Sequence, residues 1–203
     1  GFGTLELGKN TKPDGRTIFE IGSITKVFTG IALADLVVEG KAKLDEPLES
    51  LLPKGVLVPE RDGVKITLEH LATHHSGLPR VPTVVLTRTL FGKDPYADVL
   101  EKDLFDFLKI WKPSRPSGKE YDYSNLGAGL LGVALATRAE TTFEELLNTK
   151  IIKPLRLVDT TLKLDDARIA RLAKPYLKGG KPGNSWRFDA LAGCGGLKST
   201  VDD

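Results

Sequence analysis

Phe19-Glu20-Ile21-Gly22-Ser23-Ile24-Thr25-Lys26-Val27-Phe28 is the stretch on which the reading of this fold turns. Thr17 to Ile21 alternates as a strand does, and Gly22 closes it. From Ser23 the spacing of apolar residues becomes helical and runs to about Glu39, where Gly40 offers a left-handed cap. Ile24, Val27, Phe28, Ile31, Leu33, Leu36 and Val37 leave this helix almost no polar face, which predicts a central, buried helix. Ser23 and Lys26 are polar residues at its start, and a spacing of three puts both side chains on one face. A serine hydroxyl attacks carbonyls poorly until a base takes its proton. A lysine amine is such a base only when neutral, the form that burial favours. Free amides at a helix N-terminus also suit an oxyanion. The same pair equally suits a serine N-cap beside a lysine that snorkels to water.

Outward from this helix, residues 2–7 read as a second strand, reached through the turn Lys12-Pro13-Asp14-Gly15. Asp45 to Gly63 is punctuated by proline and glycine, and a short helix follows from Thr67 and stops at Ser76-Gly77-Leu78-Pro79. Residues 96–111 predict an amphipathic helix with Val99, Leu100, Leu104, Phe107, Leu108 and Trp111 inward. Lys112 to Glu120 is loop, and the next helix spans Asn125 to Arg138. Gly127, Gly129 and Gly132 weaken that helix intrinsically and predict close packing on a neighbour. Thr142-Phe143-Glu144-Glu145 reads as a capping box. Leu191 to Leu197, with its glycines and Cys194, reads as flexible or tightly packed backbone.

Tyr123-Ser124-Asn125 is the second stretch with chemistry in it. A tyrosine beside a lysine amine can hold a lowered phenol pKa and act as a general base. Asn125 can orient Lys26 and offer its amide to a substrate carbonyl. A capped helix start with Tyr123 as a packed ring accounts for the same residues. His70 and His74, at i and i+4 with His75 adjacent, have a spacing that can put two metal ligands on one helix face. Glu69 precedes the first histidine rather than following it, and no third ligand lies at a matching spacing, so no metal is expected. Cys194 reads as small-residue packing, with a reactive thiol as the other reading.

Composition narrows the classes. An apolar fraction of 40% against 28% charged residues is that of an ordinary globular chain. Net charge is +2 with both signs mixed, which argues against a nucleic-acid or anionic-membrane partner. One cysteine excludes an internal disulfide. No apolar run reaches the roughly 18–20 residues of a transmembrane helix, and no signal peptide is visible. The chain opens on Gly1-Phe2-Gly3-Thr4 without an initiator methionine and reads as a strand entered in mid-course, the pattern expected of a trimmed chain.

Taken together, the two stretches carry a resemblance. Phe19 to Lys26 resembles the first motif of the penicillin-binding-protein and class C β-lactamase superfamily, which includes D,D-peptidases and related carboxylesterases. Tyr123-Ser124-Asn125 resembles its second motif, preceded by the loop Pro116-Ser117-Gly118. Leu68 to Pro79, Ile152 to Leu155 and Ala192 to Thr200 also match, so the similarity covers essentially the whole chain. It implies Ser23 as acylated nucleophile, Lys26 and Tyr123 as the proton-transfer pair, and Asn125 as anchor of substrate and lysine, without cofactor or metal. It implies hydrolysis of β-lactams or D-Ala-D-Ala cell-wall peptides, with an ester substrate or a non-catalytic relative as alternatives, in the periplasm or outside the cell. The implied fold is α+β, an antiparallel sheet flanked by helices with a mainly helical lobe over about 45–150, in a single incomplete domain, 1–203. The family's third motif, a Lys or His followed by a small residue and glycine, is not matched: Lys198 is followed by Ser199 and Thr200.

Overall fold

The computed structural model describes residues 1–90 and 94–203. The fold is α+β. Strands β1 (Phe19–Glu20) and β2 (Lys198–Ser199) pair antiparallel, Phe19 opposite Ser199 and Glu20 opposite Lys198. After β1 the chain must turn sharply into a helix, and Gly22 does so at a φ of 50°, in the left-handed region that favours glycine. A 3-10 turn over Gly22–Ile24 then opens into α1 (Thr25–Val38).

The following helices are α2 (Leu68–Ala72), α3 (Thr83–Leu90), α4 (Glu101–Ile110), α5 (Asn125–Arg138) and α6 (Phe143–Leu147). A π turn at Asn148–Ile152 carries α6 into α7 (Lys153–Leu155), before α8 (Asp166–Ile169) and α9 (Ala192–Gly195). α5 is the centre of the core, buried from Asn125 through Leu135. Leu36, Leu48, Leu68, Leu71, Leu104, Leu126 and Leu130 are among the fully buried side chains of that core.

The glycines of α5 act as their spacing predicts. A Cβ on Gly129 would come 2.3 Å from the Leu191 side chain, and one on Gly132 would come 3.2 Å from the Gly193 Cα. Gly193 itself has no room either, since its Cβ would sit 2.8 Å from the Ala128 carbonyl oxygen. Backbone therefore lies on backbone where α9 crosses α5. That contact sets the height of Cys194 above α1.

Four sequence expectations are corrected. Residues 2–7 form no strand: Gly3 and Gly8 adopt φ of 84° and 80°, which breaks a ladder, and the segment is tied by single bonds such as Leu5 N–H to Thr11 O. The helix expected over 96–111 begins only at Glu101, because Asp94 Oδ1 accepts from the Tyr96 and Ala97 amides and holds a turn there. Leu100 consequently faces solvent, whereas Val99, Leu104, Phe107 and Leu108 are buried as expected. The Thr142 cap is half a capping box, its hydroxyl accepting from Glu145 N–H at 3.1 Å while the Glu145 carboxylate is spent on Thr149 and Lys153.

The fourth correction concerns α1, which is not buried all round. Thr25, Thr29, Ala32, Leu33 and Leu36 face the core. Ile24, Val27, Ile31 and Val38 are 44–87% exposed and, with exposed Ala34 between them, form one stripe at helical spacing. Hydrophobicity all round a helix predicts burial only if both sides are covered, and among the described residues nothing covers this one.

Two outcomes follow for the isolated chain. Gly193→Ala should destabilise it by about 1–3 kcal/mol in urea unfolding, because the clash is with backbone and no rotamer relieves it. Val27→Lys with Ile31→Glu should change stability by no more than about 0.5 kcal/mol while reducing binding of a hydrophobic dye.

Candidate active site

The strand-to-helix turn leaves Ser23 exposed at the head of α1 and places Lys26 one turn further on, half-buried. On the facing element, Ser124 caps α5: its hydroxyl accepts from Gly127 N–H at 2.8 Å and donates to the Pro79 carbonyl at 2.7 Å. This cap fixes Tyr123 just outside the helix and Asn125 as its first residue. The structure brings Ser23, Lys26, Tyr123 and Asn125 together.

Ser23 Oγ and Tyr123 Oη are 2.6 Å apart. Lys26 Nζ donates to Ser23 Oγ at 3.1 Å, to Asn125 Oδ1 at 2.9 Å and to the Cys194 carbonyl at 2.7 Å. Three donated bonds are the full complement of an ammonium group. Ser23 Oγ accepts from Lys26, and either hydroxyl of the Ser23–Tyr123 pair can donate to the other. Because Lys26 takes the oxygen of the Asn125 amide, the Nδ2 end points the other way and donates to Tyr96 Oη at 2.9 Å. One N–H of the amide expected to hold substrate is therefore engaged within the protein, and its second N–H meets no acceptor among the described residues.

The charges around Tyr123 bear on its acidity. Partial burial works to raise the phenol pKa. The neighbouring Lys26 amine, the bond with Ser23 and the charges of Lys26 and Arg80 outweigh it, so the net direction is downward. Lys26 Nζ lies 4.7 Å from the Tyr123 ring centroid and the Arg80 guanidinium 5.1 Å from it. The Ser23 backbone N–H has no acceptor among the described residues, which leaves it available to an oxyanion at the helix start.

Sequence reasoning missed two participants. The Cys194 carbonyl is a backbone atom, which no residue-type pattern can flag. The Cys194 thiol is buried and pushed up to about 12 by that burial, so it is an inert packing group and not a reactive one. Tyr96 lay in what the pattern rendered as helix.

Lys198 is also buried, and its Nζ donates to the carbonyls of Leu162, Trp186 and Gly196. It pins three segments together. The histidines turn to different partners. His70 Nδ1 accepts from Thr67 N–H and closes the cap of α2, while His75 Nδ1 meets the Thr73 carbonyl. His74 Nδ1 accepts from Ser124 N–H at 3.2 Å, and its ring packs 4.5 Å from that of Tyr123. No group of three metal-ligating side chains is present among the described residues.

His74 thus buttresses the Tyr123–Asn125 turn, and it does so only as a neutral acceptor. Burial, and then the charges of Lys26 and His75, lower its pKa below the ordinary 6.5. A histidine lowered in the folded state contributes stability that is complete above about 6.5 and is lost as pH falls through the folded value. Urea unfolding should therefore show a smaller wild-type stability at pH 5 than at pH 7.5, and His74→Gln should reduce that difference.

The chain is similar to a group of known proteins. The family model described as Beta-lactamase matches residues 1–203. The chain is 32% identical over 203 residues to the D-alanyl-D-alanine-carboxypeptidase/endopeptidase AmpH of Escherichia coli (strain K12), covering 100% of this chain and 51% of that protein. It is 30% identical over 208 residues to a beta-lactamase of Escherichia coli (strain K12), covering 100% of this chain and 50% of the other. A crystal structure of the beta-lactamase/D-alanine carboxypeptidase from Yersinia pestis, complexed with citrate, superposes with a TM-score of 0.82 at 33% identity, over 99% of this chain and 55% of that one. The chain spans about half the length of the curated relatives it matches. With a family model matched from end to end and the motif residues gathered at one point, the chain belongs to the beta-lactamase family.

Proposed function

We propose that the protein of which this chain is part is a serine hydrolase that forms an acyl-enzyme on Ser23 and acts on β-lactams or D-Ala-D-Ala cell-wall peptides. One observation carries the reading: Ser23 Oγ lies between the Tyr123 hydroxyl at 2.6 Å and Lys26 Nζ at 3.1 Å. That is the contact a nucleophile needs with its proton acceptor and with the cation that stabilises the acceptor's charge. Family membership supports it, as do the relatives, named as a D-alanyl-D-alanine-carboxypeptidase/endopeptidase and a beta-lactamase. A cell-wall substrate puts the reaction in the periplasm or outside the cell. No helix among the described residues is long and apolar enough to cross a membrane.

In this mechanism the Tyr123 phenolate takes the hydrogen of Ser23 as Oγ bonds to the substrate carbonyl carbon. Lys26, with its hydrogens directed at Ser23, Asn125 and the Cys194 carbonyl, stays as the fixed positive charge beside the phenolate. The C–N bond of the lactam or peptide then breaks, and Tyr123 delivers the proton to the leaving nitrogen. Water next attacks the Ser23 ester, Tyr123 takes its proton and returns it to Oγ, and the acid product departs. The Ser23 N–H supports the carbonyl oxygen as it becomes an oxyanion.

A fluorescent penicillin tests the nucleophile. It should add one covalent acyl mass to Ser23, Ser23→Ala should abolish the adduct, and Tyr123→Phe should slow its formation by about 10²–10⁴-fold. An adduct that survives Ser23→Ala overturns the assignment. Turnover of a p-nitrophenyl ester with no reaction towards nitrocefin would move the substrate from lactams to esters.

The pH profile tests the acceptor. Because the phenolate is the active form, labelling should rise with pH through a midpoint below the ordinary tyrosine value of about 10. Arg80→Gln, which removes one of the charges lowering that phenol, should move the midpoint upward.

A further inference from the structure

Tyr96 belongs to neither motif, yet it sits at the site. The residue is 7% exposed, and its Oη accepts from the Asn125 amide at 2.9 Å. Two carboxylates hold its segment in place. Asp94 Oδ1 takes the Tyr96 amide and Asp94 Oδ2 takes the Arg187 amide at 2.8 Å, while Asp189 Oδ2 accepts from Asp98 N–H at 2.7 Å. A backbone bond from Ala190 N–H to the Val99 carbonyl completes the junction. Residues 94–99 are thereby fastened along 186–190, and the side chains follow: the Tyr96 ring stacks on Phe188 at 4.4 Å and leans on Trp186 at 5.5 Å. Phe188 in turn fills the space beside Gly195, where a Cβ would come 3.1 Å from its ring.

The hydrogen-bond arithmetic gives this phenol a task. An asparagine side chain presents an oxygen and an NH₂ that differ little in shape, so a pocket must choose between them. Lys26 selects the oxygen, and Tyr96 secures the other end. Without the hydroxyl the buried NH₂ has no acceptor among the described residues, and the amide is held from the Lys26 side alone. The phenol's own hydrogen has no protein acceptor among the described residues.

From this arrangement we infer that Tyr96 is a positioning residue for the reaction. Its hydroxyl locks the Asn125 amide with oxygen toward Lys26, and its ring, stacked in an aromatic wall with Phe188 and half-exposed Trp186, holds that hydroxyl in place. The inference rests on the acyl-enzyme reading of Ser23, so its test includes a readout that needs no catalysis.

Tyr96→Phe keeps the stack and deletes only the oxygen. In ¹⁵N–¹H spectra the Asn125 side-chain amide of the wild type should show one protected, slowly exchanging proton, which Tyr96→Phe should lose. In labelling, Tyr96→Phe should slow acylation by benzylpenicillin and by 6-aminopenicillanic acid by the same factor, about tenfold. Trp186→Ala, which keeps the Tyr96–Phe188 stack, should leave the amide signal intact. An Asn125 amide unchanged in Tyr96→Phe overturns the positioning role. If the wild type takes no label, the acyl-enzyme reading falls, and the amide spectrum still decides whether Tyr96 locks Asn125.

Discussion

The three bonds donated by Lys26 hold the site together. Their acceptors come from three separate parts of the chain: Ser23 on its own helix, Asn125 at the head of α5, and the carbonyl of Cys194 in α9. One group thus measures the distances between three elements at once. It can do so only because packing already holds those elements together. The packing of Gly193 on the backbone of Ala128 and Gly132 supplies that constraint, since no side chain there can adjust.

The nucleophile and its partners are set by different kinds of force. Ser23 is placed by a turn, through the left-handed conformation of Gly22. Tyr123 and Asn125 are placed by a cap, through Ser124 and the buttress of His74. The far wall is placed by carboxylates, Asp94 and Asp189, which tie two loops together through backbone amides. The buried ammonium of Lys198 adds a fourth tie, joining Leu162, Trp186 and Gly196 behind that wall. Burial lowers the pKa of Lys198, and three carbonyl acceptors make that burial tolerable.

What the sequence allowed one to read follows from these differences. Ser23 and Lys26 were legible because helical spacing alone puts them on one face. The role of the glycines was legible because a glycine inside a helix needs a packing reason. The helix start at Glu101 was not, because Leu100 and Tyr96 fit an apolar stripe whether or not Asp94 diverts the backbone first. Nor was the open side of α1. A run of apolar residues records what a helix prefers to touch, and only the rest of the structure says whether anything touches it. The Cys194 carbonyl leaves no trace in residue identity at all.

The bare stripe of α1 has a mechanical meaning. A helix is a stiff rod about 10 Å across, and here Ser23 is mounted on one end of it. Ile24, Val27, Ile31 and Val38 run down the outside of the same rod while Lys26 holds its inner side to α5 and α9. Any surface that comes to rest against those four side chains pushes on the mounting of the nucleophile itself. What lies outside α1 and how Ser23 is aimed are therefore coupled through a single rigid part, with no intervening loop to absorb the strain.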